Sequence, residues 1–362
     1  MYNDSSIEIT PIASRDLSHF HIHDELLVPP GTLTPGDSQW MRVAIIGGGP
    51  AGLSAANILG RLGYAVTIFE AMPVLGGMVA AGIPEYRKPK HLVDYIIGTL
   101  LDSKVDIHLN TSIGKDIAFR LLQRYFDAII LAIGVQQNIP LKISGEEILD
   151  GVIPAMHFLK QCYFAPTTRL KGDVAVVGGS IVTIDIARLA MHAGADSVMV
   201  FFPGKLSDMP ALPAEIQAAQ QEGIVFHLNK MPRSILGTED VNVEGVRCQH
   251  TVRDPLCKTH NGPFVYIRGT DTWYPANIVV MAYGERPDLS FLAAKIERED
   301  KRVGNLWVDE QTCRTSLPHV FAAGEMMGSP RTILAAIAQG AKTACAMHAY
   351  FQTGSPLSTA VD

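Results

Sequence analysis

The residues in this 362-residue chain whose types and spacing could do chemistry are mostly glycines and a few carboxylates. In "GGGPAG", Gly47, Gly49 and Gly52 have the G-x-G-x-x-G spacing of a turn that brings a pyrophosphate against backbone N–H groups at a helix N-terminus. Glu70 follows at about the 20-residue distance from which a carboxylate reaches a ribose hydroxyl. A second turn, "VAVVGGSIVTID", keeps Gly178 and Gly179 but puts Ser180 where a close-approach glycine is expected. Between the two lies "LGGMVAAGIPEYRKPK", whose Gly76-Gly77 pair and Arg87 suit either a cofactor-covering segment or an exposed loop. Nothing has the pattern of a Ser-His-Asp set, a metal hydrolase or a Cys-x-x-Cys pair, so no acid, base or nucleophile is assigned.

The glycine turns need strands and helices to aim them. From Arg42 the order is strand "RVAII", turn, helix "LSAANILGRLG" and strand "AVTIFE", a Rossmann-type unit. "HLVDYIIGTLLDS" has helical spacing, and "DAIILAIG" is a short buried strand ending at Gly134. The pattern repeats in "DVAVVGG", "IVTIDIARLAMHAG" and "SVMVFF". "ANIVVMAYG" echoes "DAIILAIG" and marks the return to the first unit, and "RTILAAIAQGAKTACAMHAYF" reads as a closing helix. The fold class is therefore α/β, with two Rossmann-like domains, the second inserted in the first. The expected division is an extension over 1–40, a discontinuous first domain over 41–164 and 280–354, an inserted domain over 165–279 and a tail over 355–362.

Composition bounds the rest. Hydrophobic residues make up 47% and charged residues 18%, ordinary for a globular chain with a full core. A net charge of -6 argues against a nucleic-acid partner, and no apolar run approaches a membrane span. The five scattered cysteines and the acidic, polar start predict free thiols and a cytoplasmic protein. In "HFHIHD", His19, His21 and His23 share one face if extended, as a strand with a polar face, a partner contact or a metal site.

The succession "GGGPAGLSAA", "GGM", "GIPEYRKPK", "DAIILAIG", "SGEEILDGVIPAMHFL", "DMPALPAE" and "VFAAGE" resembles the flavoprotein part of the glutamate synthase small subunit, from about Arg42 to Gly354. That resemblance implies an FAD domain and an NAD(P)H domain. It implies that Gly47, Gly49, Pro50, Ala51 and Gly52 line the FAD pyrophosphate and Glu70 the adenosine ribose. Gly77, Met78 and Arg87 would form the loop beside the cofactor, and Gly134 would close the second crossing. Gly324 and Glu325 would lie by the ribityl chain. Thr332 and Ile333 would open the last helix under the flavin pyrimidine, whose charge on reduction a helix N-terminus favours.

Three departures from the family qualify that picture. Residues 1–40 contain no cysteine where relatives carry a cysteine-rich iron-sulfur module, so electrons are expected to leave to a partner subunit carrying iron-sulfur clusters or to a soluble acceptor. Glu325 replaces an aspartate. In the second turn Ser180 and Thr183 add bulk, and Pro203-Gly204 stands where relatives have an Arg-Arg pair suited to a 2′-phosphate. Two readings follow. In the first, the chain is an FAD-dependent oxidoreductase or electron-transfer subunit using NAD(P)H at Gly178, Gly179 and Ser180, with NADH favoured over NADPH. In the second, it is a flavin-bearing or structural subunit of a larger redox complex with a vestigial nicotinamide site.

Overall fold

The computed structural model describes residues 41–87, 90–101, 105–167, 169–254, 256, 263–292, 307–328 and 331–353. The expected extension over 1–40 with its three histidines, Cys257 and the tail over 355–362 lie outside the described residues.

The first unit runs β1 (Arg42–Ile46), α1 (Pro50–Arg61), β2 (Ala65–Phe69), α2 (Gly77–Ala81), α3 (Lys90–Leu100), β3 (Val105–His108), α4 (Phe119–Tyr125) and β4 (Ala128–Leu131). The strand β5 (Gln137–Asn138) leads out of it. The second unit runs β6 (Val152–Pro154), α5 (Ala155–Phe164), β7 (Asp173–Val177), α6 (Ile181–His192), β8 (Ser197–Phe202), α7 (Pro213–Gln221) and β9 (Val225–Leu228). Strands β10 (Lys230–Gly237), β11 (Val243–Arg253), β12 (Phe264–Tyr266) and β13 (Thr272–Pro275) follow, then β14 (Ile278–Met281). The chain returns through β15 (Glu285–Arg286), β16 (Val320–Ala322) and α8 (Ile333–Thr353).

Two five-stranded sheets result, in the orders β16-β4-β1-β2-β3 and β6-β14-β7-β8-β9, with every pair parallel. Helices cover both faces of such sheets, and the strands are correspondingly apolar: all four residues of β4 and the last four of β1 are buried. The two-stranded ribbon of β5 and β15 joins the units. β6 and β14 therefore both belong to the inserted domain, which moves the expected seams at 164/165 and 279/280. β6 is only three residues long and ends in proline, so its pairing with β14, not its own pattern, reveals its sheet. We place both seams at the β5–β15 ribbon.

The final helix completes the first domain. α8 lies across α1, where a Cβ on Gly340 would come within 2.1 Å of the Ala51 carbonyl oxygen. Only glycine permits that approach. The Ser54 hydroxyl donates to the Ile337 carbonyl at 2.9 Å, tying the same crossing. Ile337, Ala341, Ala344 and Met347 of α8 thus share one core with Leu53, Ala56 and Leu59 of α1. β10, β11 and β13 form an antiparallel layer whose Met231, Ile235, Val246 and Cys248 pack on the face of the second sheet that carries Ala175, Val177 and Phe201.

Candidate functional site

A cavity of about 380 Å³ opens between the two domains, within the range of small-molecule sites of roughly 300–1,000 Å³. The first glycine turn forms one wall through Gly47, Gly49, Pro50 and Ala51. β1 delivers the chain into this turn, and the Gly47 N–H donates to the Phe69 carbonyl at 2.8 Å. Gly47 has φ +107, and a Cβ on Gly52 would stand 2.0 Å from the Gly47 carbonyl oxygen, so Gly52 lies beneath the wall and lets helix and turn close up. α1 starts with Gly49 as N-cap and Pro50 just inside, with no side chain capping it. Its first-turn N–H groups therefore face the cavity without a side-chain acceptor, an arrangement that fits a phosphate.

Glu70 stands on the same wall, buried, with one carboxylate oxygen accepting from the Gly48 N–H and the other from the Met72 N–H, both at 2.7 Å. Two backbone donors fix the carboxylate, and its remaining lone pairs can accept a ribose hydroxyl. Gly77 docks on the turn: a Cβ there would meet the Gly49 Cα at 2.9 Å, and the neighbouring Gly76 N–H donates to the Gly48 carbonyl at 2.8 Å. Met78, Gly134, Gly324, Glu325, Thr332 and Ile333 line the remaining surface with Arg87. Thr332 caps α8 by accepting from the Ala335 N–H at 3.1 Å. All of the residues expected beside FAD except Gly52 thus line this one cavity, and the uncapped end of α1 suits a pyrophosphate.

The structure adds charge pairs that the motifs did not announce. Arg331 donates from Nη1 to Glu285 at 2.7 Å and from Nε to Glu325 at 2.9 Å. Burial pushes the Glu325 carboxyl upward, Arg331 opposes it and Glu285 adds to it. Glu285 lines the cavity almost wholly buried, and its Oε1 has no hydrogen-bond partner. On the other side Arg87 reaches into the second domain, donating to Asp185 of α6 at 2.7 Å, and the Tyr86 hydroxyl donates to the same carboxylate at 3.1 Å. Burial raises the Asp185 pKa against the lowering effect of Arg87. Arg188 stacks 4.1 Å over the Tyr86 ring and pairs with Glu215 and Glu222. Lys160 of α5 hydrogen-bonds Gln136 on the cavity wall, and burial lowers its pKa.

The second turn differs from the first in one respect that matters chemically. Ser180 is the N-cap of α6, and its hydroxyl accepts from the Thr183 N–H at 3.4 Å while the Thr183 hydroxyl accepts from the Ser180 N–H at 3.2 Å. The two residues that looked like mere bulk form a capping box that occupies donors which the first turn leaves for a ligand. Ser180 lines the cavity, whereas Gly178 and Gly179 do not. A Cβ on Gly178 would meet the Ala282 carbonyl oxygen at 2.2 Å, and one on Gly179 the Phe202 ring at 2.3 Å, so both serve packing of the turn. Among the described residues no cysteine lines the cavity and no group of three His, Cys, Asp or Glu side chains could hold a metal. No helix among them is long and apolar enough to cross a membrane.

Two parallel-sheet domains converging on one glycine-lined cavity define a two-dinucleotide-domain flavoprotein architecture. The chain belongs to the pyridine nucleotide-disulphide oxidoreductase family, whose model matches residues 41–340. It is 39% identical over 335 residues to the NADP(+)-dependent formate dehydrogenase subunit beta of Moorella thermoacetica, covering 92% of this chain and 47% of that one. It is 30% identical to the glutamate synthase [NADPH] small chain of Escherichia coli over 318 residues, covering 84% of this chain and 67% of that one. The expected resemblance thus holds over most of the chain. A solved structure of Mycobacterium tuberculosis FprA in complex with NADPH superposes with a TM-score of 0.70 at 18% identity, covering 87% of this chain and 85% of that one, and so shares the fold. The chain spans about half the length of the first curated relatives it matches, 47% and 56%. Their names carry NADP(+) or NADPH, which lends no support to a preference for NADH.

Proposed function

We propose that this chain is the FAD-bearing part of an oxidoreductase, exchanging hydride with a nicotinamide nucleotide and passing electrons to a partner subunit carrying iron-sulfur clusters or to a soluble acceptor. The observation that carries this reading is that the uncapped N-terminus of α1 and the N-terminus of α6 open on one cavity. Bound FAD would supply the redox chemistry. The protein's residues supply placement: the Gly47–Gly52 turn binds a pyrophosphate, Glu70 accepts a ribose hydroxyl, and Glu325 with Arg331 flanks the cavity near the start of α8. The names of the relatives, as beta subunits or a small chain, support a partner. The free thiols of Cys162, Cys248, Cys313 and Cys345 suit a cytoplasmic setting.

The expected preference for NADH rests chiefly on the missing arginine pair at Pro203-Gly204, with Ser180 and Thr183 beside it. Phe202, whose strand neighbour Phe201 pairs with Val177 as Phe69 pairs with Ile46, occupies in the second unit the place that Glu70 holds in the first. An NADH-selective site would put a carboxylate there.

The capping box favours a second reading, a flavin-bearing subunit whose nicotinamide site is vestigial. Purified protein examined for flavin absorbance, then titrated anaerobically with NADPH and NADH, separates the two. Flavin bleached by one nucleotide at a catalytically competent rate is the result expected here. A colourless protein that cannot be loaded with FAD refutes both readings, and a flavoprotein indifferent to both nucleotides leaves only the second.

A further inference from the structure

We propose that Arg253, delivered by β11 and not by the loop after β8, recognises the 2′-phosphate of NADPH in the second domain. This inference rests on the proposed nicotinamide site and deepens it. The position of the phosphate follows from the internal repeat. The Gly178 N–H donates to the Phe201 carbonyl at 3.0 Å as the Gly47 N–H donates to the Phe69 carbonyl at 2.8 Å, so the two units share one register. Phe202 then stands at the ribose position, and a 2′-phosphate would fall beside the next residues, Pro203, Gly204 and Lys205.

Those residues carry no arginine, but β11 and β12 bring one to them. The Thr251 hydroxyl donates to the Pro203 carbonyl at 2.7 Å, and the Asn229 N–H donates to the Gly204 carbonyl at 2.9 Å, which fix the loop against the antiparallel layer. Phe264 of β12 closes on Gly204: a Cβ there would lie 2.8 Å from the Phe264 Cζ and 2.9 Å from an Asp208 carboxylate oxygen. Arg253 stacks over Phe264, its Cζ 4.8 Å from the ring centroid, and its Nη2 lies 3.2 Å from Asp208. The side chain is about one-third exposed, 34%. A planar guanidinium can hold a carboxylate along one edge and a phosphate along another, which an ammonium cannot do with the same geometry. Lys205, exposed on the same loop, adds a second positive charge.

The arrangement accounts for two facts together: the absence of the arginine pair expected after β8, and NADP(+) or NADPH in the names of the relatives. With Phe202 in place of an acid, no carboxylate at the ribose position repels the phosphate, and Asp208 serves to aim Arg253.

The test is equilibrium binding to the flavin-loaded protein of NADP(+), NAD(+), 2′,5′-ADP and 5′-AMP, for the wild type, Arg253→Gln and Arg253→Lys. Wild-type protein is expected to bind 2′,5′-ADP more tightly than 5′-AMP. Arg253→Gln should lose about tenfold or more for NADP(+) and 2′,5′-ADP, as loss of a charge-assisted hydrogen bond implies, and keep its affinity for NAD(+) and 5′-AMP. Arg253→Lys should fall between. If Arg253→Gln does not fold, Lys205→Gln with Arg253→Lys carries the same comparison. Unchanged NADP(+) affinity, an equal loss for all four compounds, or a wild type that binds NAD(+) better than NADP(+) would overturn this assignment while leaving the nicotinamide reading intact. A wild type that binds none of them overturns both.

Discussion

Replacing Arg87 by methionine tests the contact that joins the cofactor-covering loop to the second domain. The Asp185 side chain is 6% exposed and that of Arg87 25%, so the substitution strands a nearly buried carboxylate. Removing one partner of a fully buried ion pair costs about 3–5 kcal/mol. The Tyr86 hydroxyl remains bonded to Asp185 at 3.1 Å and Arg87 is partly in water, so the expected loss is about 2–3 kcal/mol. The loss should also depend on pH. Burial already holds the Asp185 pKa above its ordinary value, against Arg87, and without Arg87 it rises further. The folded state then keeps a proton that the unfolded chain releases at about pH 3.9. Stability therefore falls as pH rises through that window, and the window extends upward in the variant. Denaturant unfolding at about pH 5 and pH 8, for Arg87→Met, Asp185→Asn and the double variant, reads this directly. The deficit of Arg87→Met should widen at the higher pH, and the double variant should recover most of it, because no charge is then left unpaired. Single losses that add within about 0.5 kcal/mol, or a deficit independent of pH, would refute the reasoning.

Three further outcomes follow from the cavity walls. Gly52→Ala places a Cβ 2.0 Å from the Gly47 carbonyl oxygen, so it should cost about 1–3 kcal/mol and reduce flavin retained through purification, read from the visible absorbance per chain; full retention would contradict the packing role. Ser180→Ala loses the cap of α6, whose bonds of 3.4 and 3.2 Å are long and place the cost near the lower end, about 0.5–1 kcal/mol, whereas Ser180→Gly should cost only a few tenths; a thermal melt that ranks alanine above glycine would argue against the cap. Glu285→Gln removes a buried charge from the cavity that Arg331 half neutralises, worth about 1 kcal/mol at a bound flavin. That is an upward shift of about 20 mV in its two-electron potential, to be measured by dye equilibration, and a downward shift would be inconsistent with it.

The parallel sheets were legible because their strands are buried on both faces and lead into glycine turns: "AIIL" and "IVVM" are apolar throughout, and "RVAII" and "DVAVV" are apolar after their first residue. β6 was not, since three residues ending in Pro154 carry no periodicity of their own. Nor was the antiparallel layer, whose β10 contains Pro232 and a shift of register between Pro232 and Ser234. Gly47, Gly49 and Gly52 could be named from spacing because the turn geometry demands glycine at fixed positions, whereas Met78, Arg87, Gly134, Gly324, Glu325, Thr332 and Ile333 followed only from the family resemblance. The charge pairs could not, because Arg87 and Asp185 are 98 residues apart and Arg331 and Glu285 are 46 apart, and no local pattern links them. Ser180 and Thr183 did carry a signal: a hydroxyl three residues before another at the start of a helix is a capping arrangement.

The crossing of α8 on α1 has a consequence for how the protein is made. Gly340, which must lie against Ala51, is translated almost 300 residues after it, behind the whole inserted domain. At roughly 5–20 residues per second the interval is roughly 15–60 s. During that time Leu53, Ala56 and Leu59 of α1 lack the covering that Ile337, Ala341 and Ala344 eventually provide. The inserted domain can complete its own sheet first, so the nascent chain passes through a stage with the second domain formed and the first still open. The cavity, which is lined by residues from both ends of the first domain, is complete only after that stage, and until then the apolar face of α1 stays uncovered.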